Sequence, residues 1–183
     1  MKAIATALDG VLILEPRVFE DPRGCFFESW NARTFAELTG SAAAFVQDNH
    51  SVSHRGVLRG LHYQLPPAAQ GKLLRVVQGA VYDVVVDLRR GSPSFGGWLS
   101  VELSAANQRQ LWIPPGFAHG FLSLSDHSVT LYKTTAYYSP EHERCLRWDD
   151  AQLAIPWPLD GAPLISPRDA AGLSLDAAEV FDR

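Results

Sequence analysis

The run Gly56-Val57-Leu58-Arg59-Gly60-Leu61-His62-Tyr63-Gln64 sets a strong cation and an imidazole three residues apart in a segment that otherwise reads as a buried strand. Arginine is rarely buried without an anionic partner. Histidine is the side chain best suited to exchange a proton near neutral pH. Together they point to a site that holds a charged small molecule beside a proton-transfer base. Two other segments could complete such a base. His119 follows Pro114-Pro115-Gly116-Phe117-Ala118, a stiff corner that would deliver it into the next strand, and Asp169 lies in a loop-like tail from which a carboxylate could orient an imidazole. Tyr132, in Leu131-Tyr132-Lys133, is either a phenol acid opposite the base or an aromatic that fills the core.

A metal centre is the competing chemistry. Small β barrels often hold metal through a His-x-His pair, a Glu a few residues on, and a later His. Here His119 supplies the last, but position 64 is Gln, no acid stands between Gln64 and Arg75, and the charged residue in that interval is Lys72. A cation in the ligand ring would repel a metal ion, so the expectation is no metal and no cofactor. Cys25 and Cys145 show no metal spacing and are expected to be reduced thiols.

These residues need a scaffold that aims them at one point. Short apolar and β-branched runs recur between Gly and Pro, among them Phe45–Val52, Lys72–Val77, Val81–Leu88 and Val129–Tyr138. That pattern predicts an all-β sandwich or barrel. One helix is expected over Ala32–Leu38, with Asn31 as N-cap and Gly40 after it, and a second short one near Asp149–Leu153. Asp21-Pro22-Arg23-Gly24 reads as a turn, Gln78-Gly79-Ala80 as a hairpin, and the proline-rich tail after Ile155 as ordered loop wrapping the barrel. Gln47 and Asn49, two apart, share a strand face. Arg59 and His62, three apart, would not. For both to line one site the strand must bulge, and Gly60 is the place for it.

The chain has 183 residues, 46% of them hydrophobic and 20% charged, which is most simply one soluble domain spanning 1–183. A net charge of −4 argues against nucleic acid as a partner. The N-terminal stretch fits neither a signal peptide nor a membrane span, so a cytoplasmic protein with no membrane association is expected.

In order along nearly the whole chain, several motifs together resemble the dTDP-4-dehydrorhamnose 3,5-epimerase family, a branch of the cupins. They are Asp21-Pro22-Arg23-Gly24-Cys25-Phe26-Phe27-Glu28, Gln47-Asp48-Asn49, Gly56 to Gln64, Gly71-Lys72, Pro115 to Phe121, Tyr132-Lys133, Tyr137 to Glu141 and Ser166-Pro167-Arg168-Asp169. The resemblance implies a cupin-type jelly-roll barrel that forms a homodimer. It also implies a dTDP-4-keto-6-deoxy sugar as substrate, and epimerisation at C3 and C5 without metal or cofactor. By resemblance His62 is the base, Asp169 its orienting carboxylate, Tyr132 the proton donor, and Lys72 the group that stabilises the enolate oxygen. Arg59, His119, Gln47 and Asn49 match nucleotide and diphosphate contacts. Phe26, Glu143 and Arg168 match further substrate contacts, and Tyr138 a stacking platform for thymine. Arg23 and Glu28 match residues that reach the partner subunit's site.

The chain departs from the family pattern at Arg168, where many relatives have Lys, at Ala136 and at Cys25. Three other readings compete: a single-centre epimerase of an antibiotic-sugar pathway, a non-catalytic cupin that binds a nucleotide sugar, and a metal-dependent cupin oxygenase.

Overall fold

The computed structural model describes residues 1–182. Its frame is two antiparallel sheets. The six-stranded sheet runs, in spatial order, β1 (Lys2–Ala5), β2 (Leu12–Glu15), β10 (Gln110–Ile113), β7 (Lys72–Gln78), β12 (His127–Thr134) and β5 (Gln47–His54). The five-stranded sheet runs β13 (Glu143–Cys145), β6 (Leu58–Gln64), β11 (Phe117–Ser123), β8 (Ala80–Asp87) and β9 (Trp98–Ser104). A separate ribbon pairs β3 (Phe19–Asp21) with β4 (Gly24–Phe26). The expected all-β jelly-roll architecture is the one observed.

Period-2 alternation places the core in layers. On β8, Val81 and Val85 pack between the sheets with Leu74, Val76, Leu111, Ile113, Phe117 and Phe121. Val84 and Val86 point the other way, where the C-terminal tail covers the outer face with Leu146, Leu153, Ile155 and Phe181. The centre of this sheet is therefore covered on both faces, which is why every residue of β11 is buried. The tail is thus a structural layer, as the wrapping-loop reading requires.

The outer face of the six-stranded sheet is covered by α1 (Ala32–Thr39). The Asn31 side chain caps it by accepting from the Arg33 and Thr34 amides, and Gly40 ends it at φ 67°. Phe35 anchors the helix on Leu73 and Trp112, with its ring centroid 5.0 Å from that of Trp112. Burying such a ring stabilises the fold by roughly 2–3 kcal/mol.

Two local expectations are corrected. Asp149–Leu153 is not a helix but a tight turn, held by the Asp150 carboxylate accepting from the Gln152 and Leu153 amides. Gln78-Gly79-Ala80 is not a hairpin, because β7 and β8 belong to different sheets. Gly79 (φ 72°) instead turns the chain from one sheet into the other, and a Cβ there would lie 2.4 Å from the His127 carbonyl oxygen. The Asp21–Gly24 turn and the Pro114–Gly116 corner are where the sequence puts them.

Candidate active site

A cavity of about 690 Å³ opens between the two sheets. From the five-stranded sheet it receives Arg59, His62, Gln64, His119 and Glu143; from the six-stranded sheet Gln47, Asn49, Lys72 and Tyr132. Tyr138, Arg168 and Asp169 close it from the loop after β12 and from a short helix, α2 (Pro167–Ala170).

Arg59 and His62 share this cavity because β6 bulges. Opposite β11, His62 pairs with His119 and Arg59 with Phe121, so three steps on one strand match two on the other. The extra residue falls at Gly60–Leu61, where Gly60 has φ 119°. A Cβ on Gly60 would lie 2.5 Å from the Gly120 Cα, and one on Gly120 2.6 Å from the Arg59 carbonyl oxygen. Only glycine at both positions lets the strands approach, and the bulge expected at Gly60 is present.

His62 Nε2 lies 2.6 Å from Asp169 Oδ1. Asp169 is buried on α2, a helix begun by the Ser166 side chain, which accepts from the Asp169 amide, and by Pro167 in its first turn. This part of the tail is helix and not the loop expected, and Ser-Pro-x-Asp is itself a helix-start signature. Burial pushes the Asp169 carboxyl up, but the hydrogen bond and charge of His62 and the Gly60 amide outweigh it and hold the group below its ordinary value. The acid is therefore an anion that fixes the imidazole.

Across the cavity, burial raises the Tyr132 phenol; Arg59 opposes this and Glu143 adds to it. Tyr132 is thereby kept protonated. Lys72 is buried and donates to the His62 carbonyl oxygen at 3.1 Å. Burial pulls its ammonium down to about 8, against the upward influence of Glu143 and Asp83.

Arg59 donates to Ser53 Oγ at 3.0 Å and to the Val52 carbonyl at 3.2 Å, and among the described residues it has no carboxylate partner. Its charge is free for a ligand. Gln47 donates to Asn49 Oδ1 at 2.8 Å, and its own Oε1 accepts from the Tyr138 amide at 3.0 Å. Gln64, whose place in the sequence argued against metal, is fully engaged: it donates to the Ala68 and Tyr137 carbonyls and accepts from the Ser139 amide. Two glutamines thus pin the loop carrying Tyr138. Arg168 ion-pairs with Glu143 and reaches the Tyr138 hydroxyl at 3.3 Å. Its guanidinium serves two partners at once, which the fork geometry of arginine favours.

Arg23, Phe26 and Glu28 do not line this cavity. Arg23 pairs with Asp21 at the tip of the β3–β4 ribbon, Phe26 is 72% exposed, and Glu28 accepts from the Asn31 side chain at 3.1 Å.

Two residues behind the cavity wall escaped the sequence reading. Asp83, fully buried, meets His119 Nε2 at 2.9 Å. Burial raises its pKa, against the lowering influence of His119 and Lys72. Its signal was an acid between Val81 and Val85 on an apolar strand face. Cys145 lies opposite His62 in the β13–β6 register, and its sulfur, His62 and Asp169 offer ligand atoms all within 4.8 Å of one another. Metal spacing absent from the linear chain is therefore present in space. Burial pushes this thiol up to about 12.

A family model described as dTDP-4-dehydrorhamnose 3,5-epimerase matches residues 5–177. The chain belongs to this family. A dTDP-4-dehydrorhamnose 3,5-epimerase from Pseudomonas aeruginosa is 58% identical over 181 residues, covering 99% of both chains. Among solved structures, the dTDP-6-deoxy-D-glucose-3,5-epimerase of Legionella pneumophila in complex with dTDP-4-keto-L-rhamnose superposes with a TM-score of 0.94. It is 50% identical, with 97% of this chain and 94% of that one covered. ChmJ, a 3′-monoepimerase from Streptomyces bikiniensis in complex with dTDP-quinovose, has a TM-score of 0.89 at 36% identity, covering 96% and 88%. The family is one of carbohydrate isomerases, and the cavity has to be explained as an epimerase site.

Proposed function

We propose that this chain inverts C3 and C5 of dTDP-4-dehydro-6-deoxy-D-glucose, giving dTDP-4-dehydro-L-rhamnose, by acid–base catalysis through an enolate. One observation carries the reading: an imidazole–carboxylate pair and a protonated phenol stand on opposite sheets of one cavity that also holds a buried ammonium.

Both centres flank the C4 ketone, so one stabilised enolate acidifies either hydrogen. Asp169 occupies Nε2 of His62, which leaves Nδ1 to accept the carbon-bound proton. As that proton leaves, its electron pair moves into the C3–C4 or C4–C5 bond and the C4 oxygen becomes an enolate, held by the Lys72 ammonium. Tyr132 then protonates the same carbon from the other face, and the configuration inverts. Positioned acids and bases contribute about 10²- to 10⁴-fold each, and a cation aimed at developing charge adds a term of similar size. No step calls for a metal or cofactor.

Arg59, His119, Gln47 and Asn49 are assigned to the nucleotide and diphosphate. The Asp83 carboxyl, against His119 Nε2 at 2.9 Å, keeps that imidazole oriented. Tyr138 is assigned to stack on thymine, with Glu143 and Arg168 fixing its loop. Arg23, Phe26 and Glu28, which lie outside their own cavity, are assigned to the neighbouring site of a homodimer. The exposed β3–β4 ribbon that carries the first two supports this. We place this single-domain enzyme in the cytoplasm; among the described residues no helix is long and apolar enough to cross a membrane.

Turnover of dTDP-4-dehydro-6-deoxy-D-glucose in heavy water tests the proposal. Deuterium at both C3 and C5 is the expected result. Label at one centre only would make the chain a single-centre epimerase, and no label at either would overturn the catalytic reading.

A further inference from the structure

The catalytic histidine has a neighbour that the epimerisation does not use. Cys145 sits opposite His62 across the β13–β6 ladder, and the three atoms capable of binding a metal on His62, Cys145 and Asp169 lie within 4.8 Å of one another. We propose that these side chains form a three-ligand site for a thiophilic divalent cation, zinc being the one to test, and that its occupancy switches the enzyme off. The inhibitory half of this inference rests on His62 being the base; the binding half does not.

Tetrahedral zinc with one sulfur, one nitrogen and one carboxylate oxygen holds its ligand atoms about 3.3–3.6 Å apart. The present contacts bracket that range. His62 Nε2 and Asp169 Oδ1, now at 2.6 Å, must separate by less than ~1 Å. The sulfur, within 4.8 Å of the other two ligand atoms, must come to that range from a position where its one hydrogen bond is a long one, to the Leu146 carbonyl oxygen at 3.6 Å. The second Asp169 oxygen accepts from the Gly60 amide, an outer contact of the kind that orients metal ligands. The fourth position faces the cavity and takes water, giving three protein ligands plus one open site.

The same geometry explains why occupancy would inhibit. The thiol proton is released to solvent when sulfur binds the ion. Nε2 must present its lone pair, so the imidazole proton moves to Nδ1. The nitrogen facing the substrate then carries a proton and cannot accept one from carbon. The Lys72 ammonium, bonded to the His62 carbonyl, opposes a cation here, so the site should be weaker than a closed structural zinc centre and readily reversed by chelators. That is the behaviour of a regulatory or toxic ion and not of a resident cofactor.

The test uses full-length Cys25→Ser protein, which removes the exposed thiol, with zinc chloride in equilibrium dialysis. One zinc per chain is expected, with turnover falling over the same concentration range and recovering with a chelator. Adding Cys145→Ser should leave metal-free turnover unchanged and raise both the dissociation constant and the inhibitory concentration at least 10-fold. Cobalt(II) supplies a second readout. A near-ultraviolet thiolate-to-metal band should appear in Cys25→Ser and be absent from the double variant and from Cys145→Ala in the same background. Equal zinc affinity with and without Cys145, or no cobalt–thiolate band, overturns the site. Cys145-dependent binding that leaves turnover intact overturns the inhibition. The assignment of His62 as base is judged separately, by hydrogen exchange in metal-free His62→Ala.

Discussion

Gly60 and Gly120 face each other across the β6–β11 ladder so closely that a methyl group on Gly60 would lie 2.5 Å from the Gly120 Cα. This contact admits the bulge that turns Arg59 and His62 into one cavity. Gly60→Ala is expected to destabilise the fold by more than about 3 kcal/mol, since a backbone clash adds to an unfavourable φ. Gly161 has a similar φ of 116° but open space around it, so Gly161→Ala should cost only roughly 1–2 kcal/mol. Urea unfolding of the two variants separates steric exclusion from backbone preference; equal losses would remove the role given to the Gly60–Gly120 approach.

The proposed base and acid differ in what their removal should do. His62→Ala is expected to reduce solvent exchange at C3 and C5 by at least about 10²-fold while dTDP affinity, measured by calorimetry, changes little. Asp169→Asn should fall in the same direction, because the anion that fixes the imidazole is gone. Tyr132→Phe should impair proton return more than removal, so washout of substrate label outpaces turnover. Washout as slow as turnover would take the acid role from Tyr132.

Lys72, as the proposed partner of the enolate oxygen, should set the alkaline limit. With its ammonium pulled down to about 8 by burial, the charged fraction falls as pH rises through that value, and exchange should fall with it. Lys72→Arg, if active at all, should lose this limb, because arginine stays charged. Stability runs the other way. The unfolded chain holds this proton up to about pH 10, so it binds more protons than the native state between roughly pH 8 and 10 and folding gains stability as pH rises there. Lys72→Met should therefore be inactive yet more stable at pH 7, by roughly 2–3 kcal/mol. A pH-rate profile and a denaturant titration check the two halves.

The proposed homodimer with shared sites makes a prediction about mixing. If Arg23 completes the partner's cavity, His62→Ala and Arg23→Ala homodimers should each be nearly inactive. After subunit exchange, half the dimers are hybrids, each with one intact site, so activity should return to about a quarter of wild type. No recovery, with hybrid formation verified by mass spectrometry, would place Arg23 in its own subunit's function or in none.

How much of this was written in the chain is visible residue by residue. Asn31 and Gly40 announced α1, because capping chemistry is local. The Asp21–Gly24 turn and the Pro114–Gly116 corner were legible for the same reason, and a site shared by Arg59 and His62 required a bulge for which Gly60 was the natural place. Gly79 misled: a glycine between two strands looks alike whether the chain folds back within a sheet or crosses to another, and only the packing of β7 and β8 on opposite sides of the core distinguishes them.

The alternation Val81-x-Asp83-x-Val85 states that an acid faces the core. It cannot state that His119 on β11 meets it, since the backbone ladder that brings β8 beside β11 is indifferent to side chains. Cys145 is the same case, brought to His62 by the register of β13 on β6. His62 and Asp169 stand 107 positions apart, and a short helix capped by Ser166 closes the gap. The sequence by itself determined the residue types, the strand faces and the turns, because those depend on nearest neighbours. Tertiary structure decided the partners, because a partner is chosen by the order and register of strands, which the burial of two sheet faces and a tail settles for the whole chain at once.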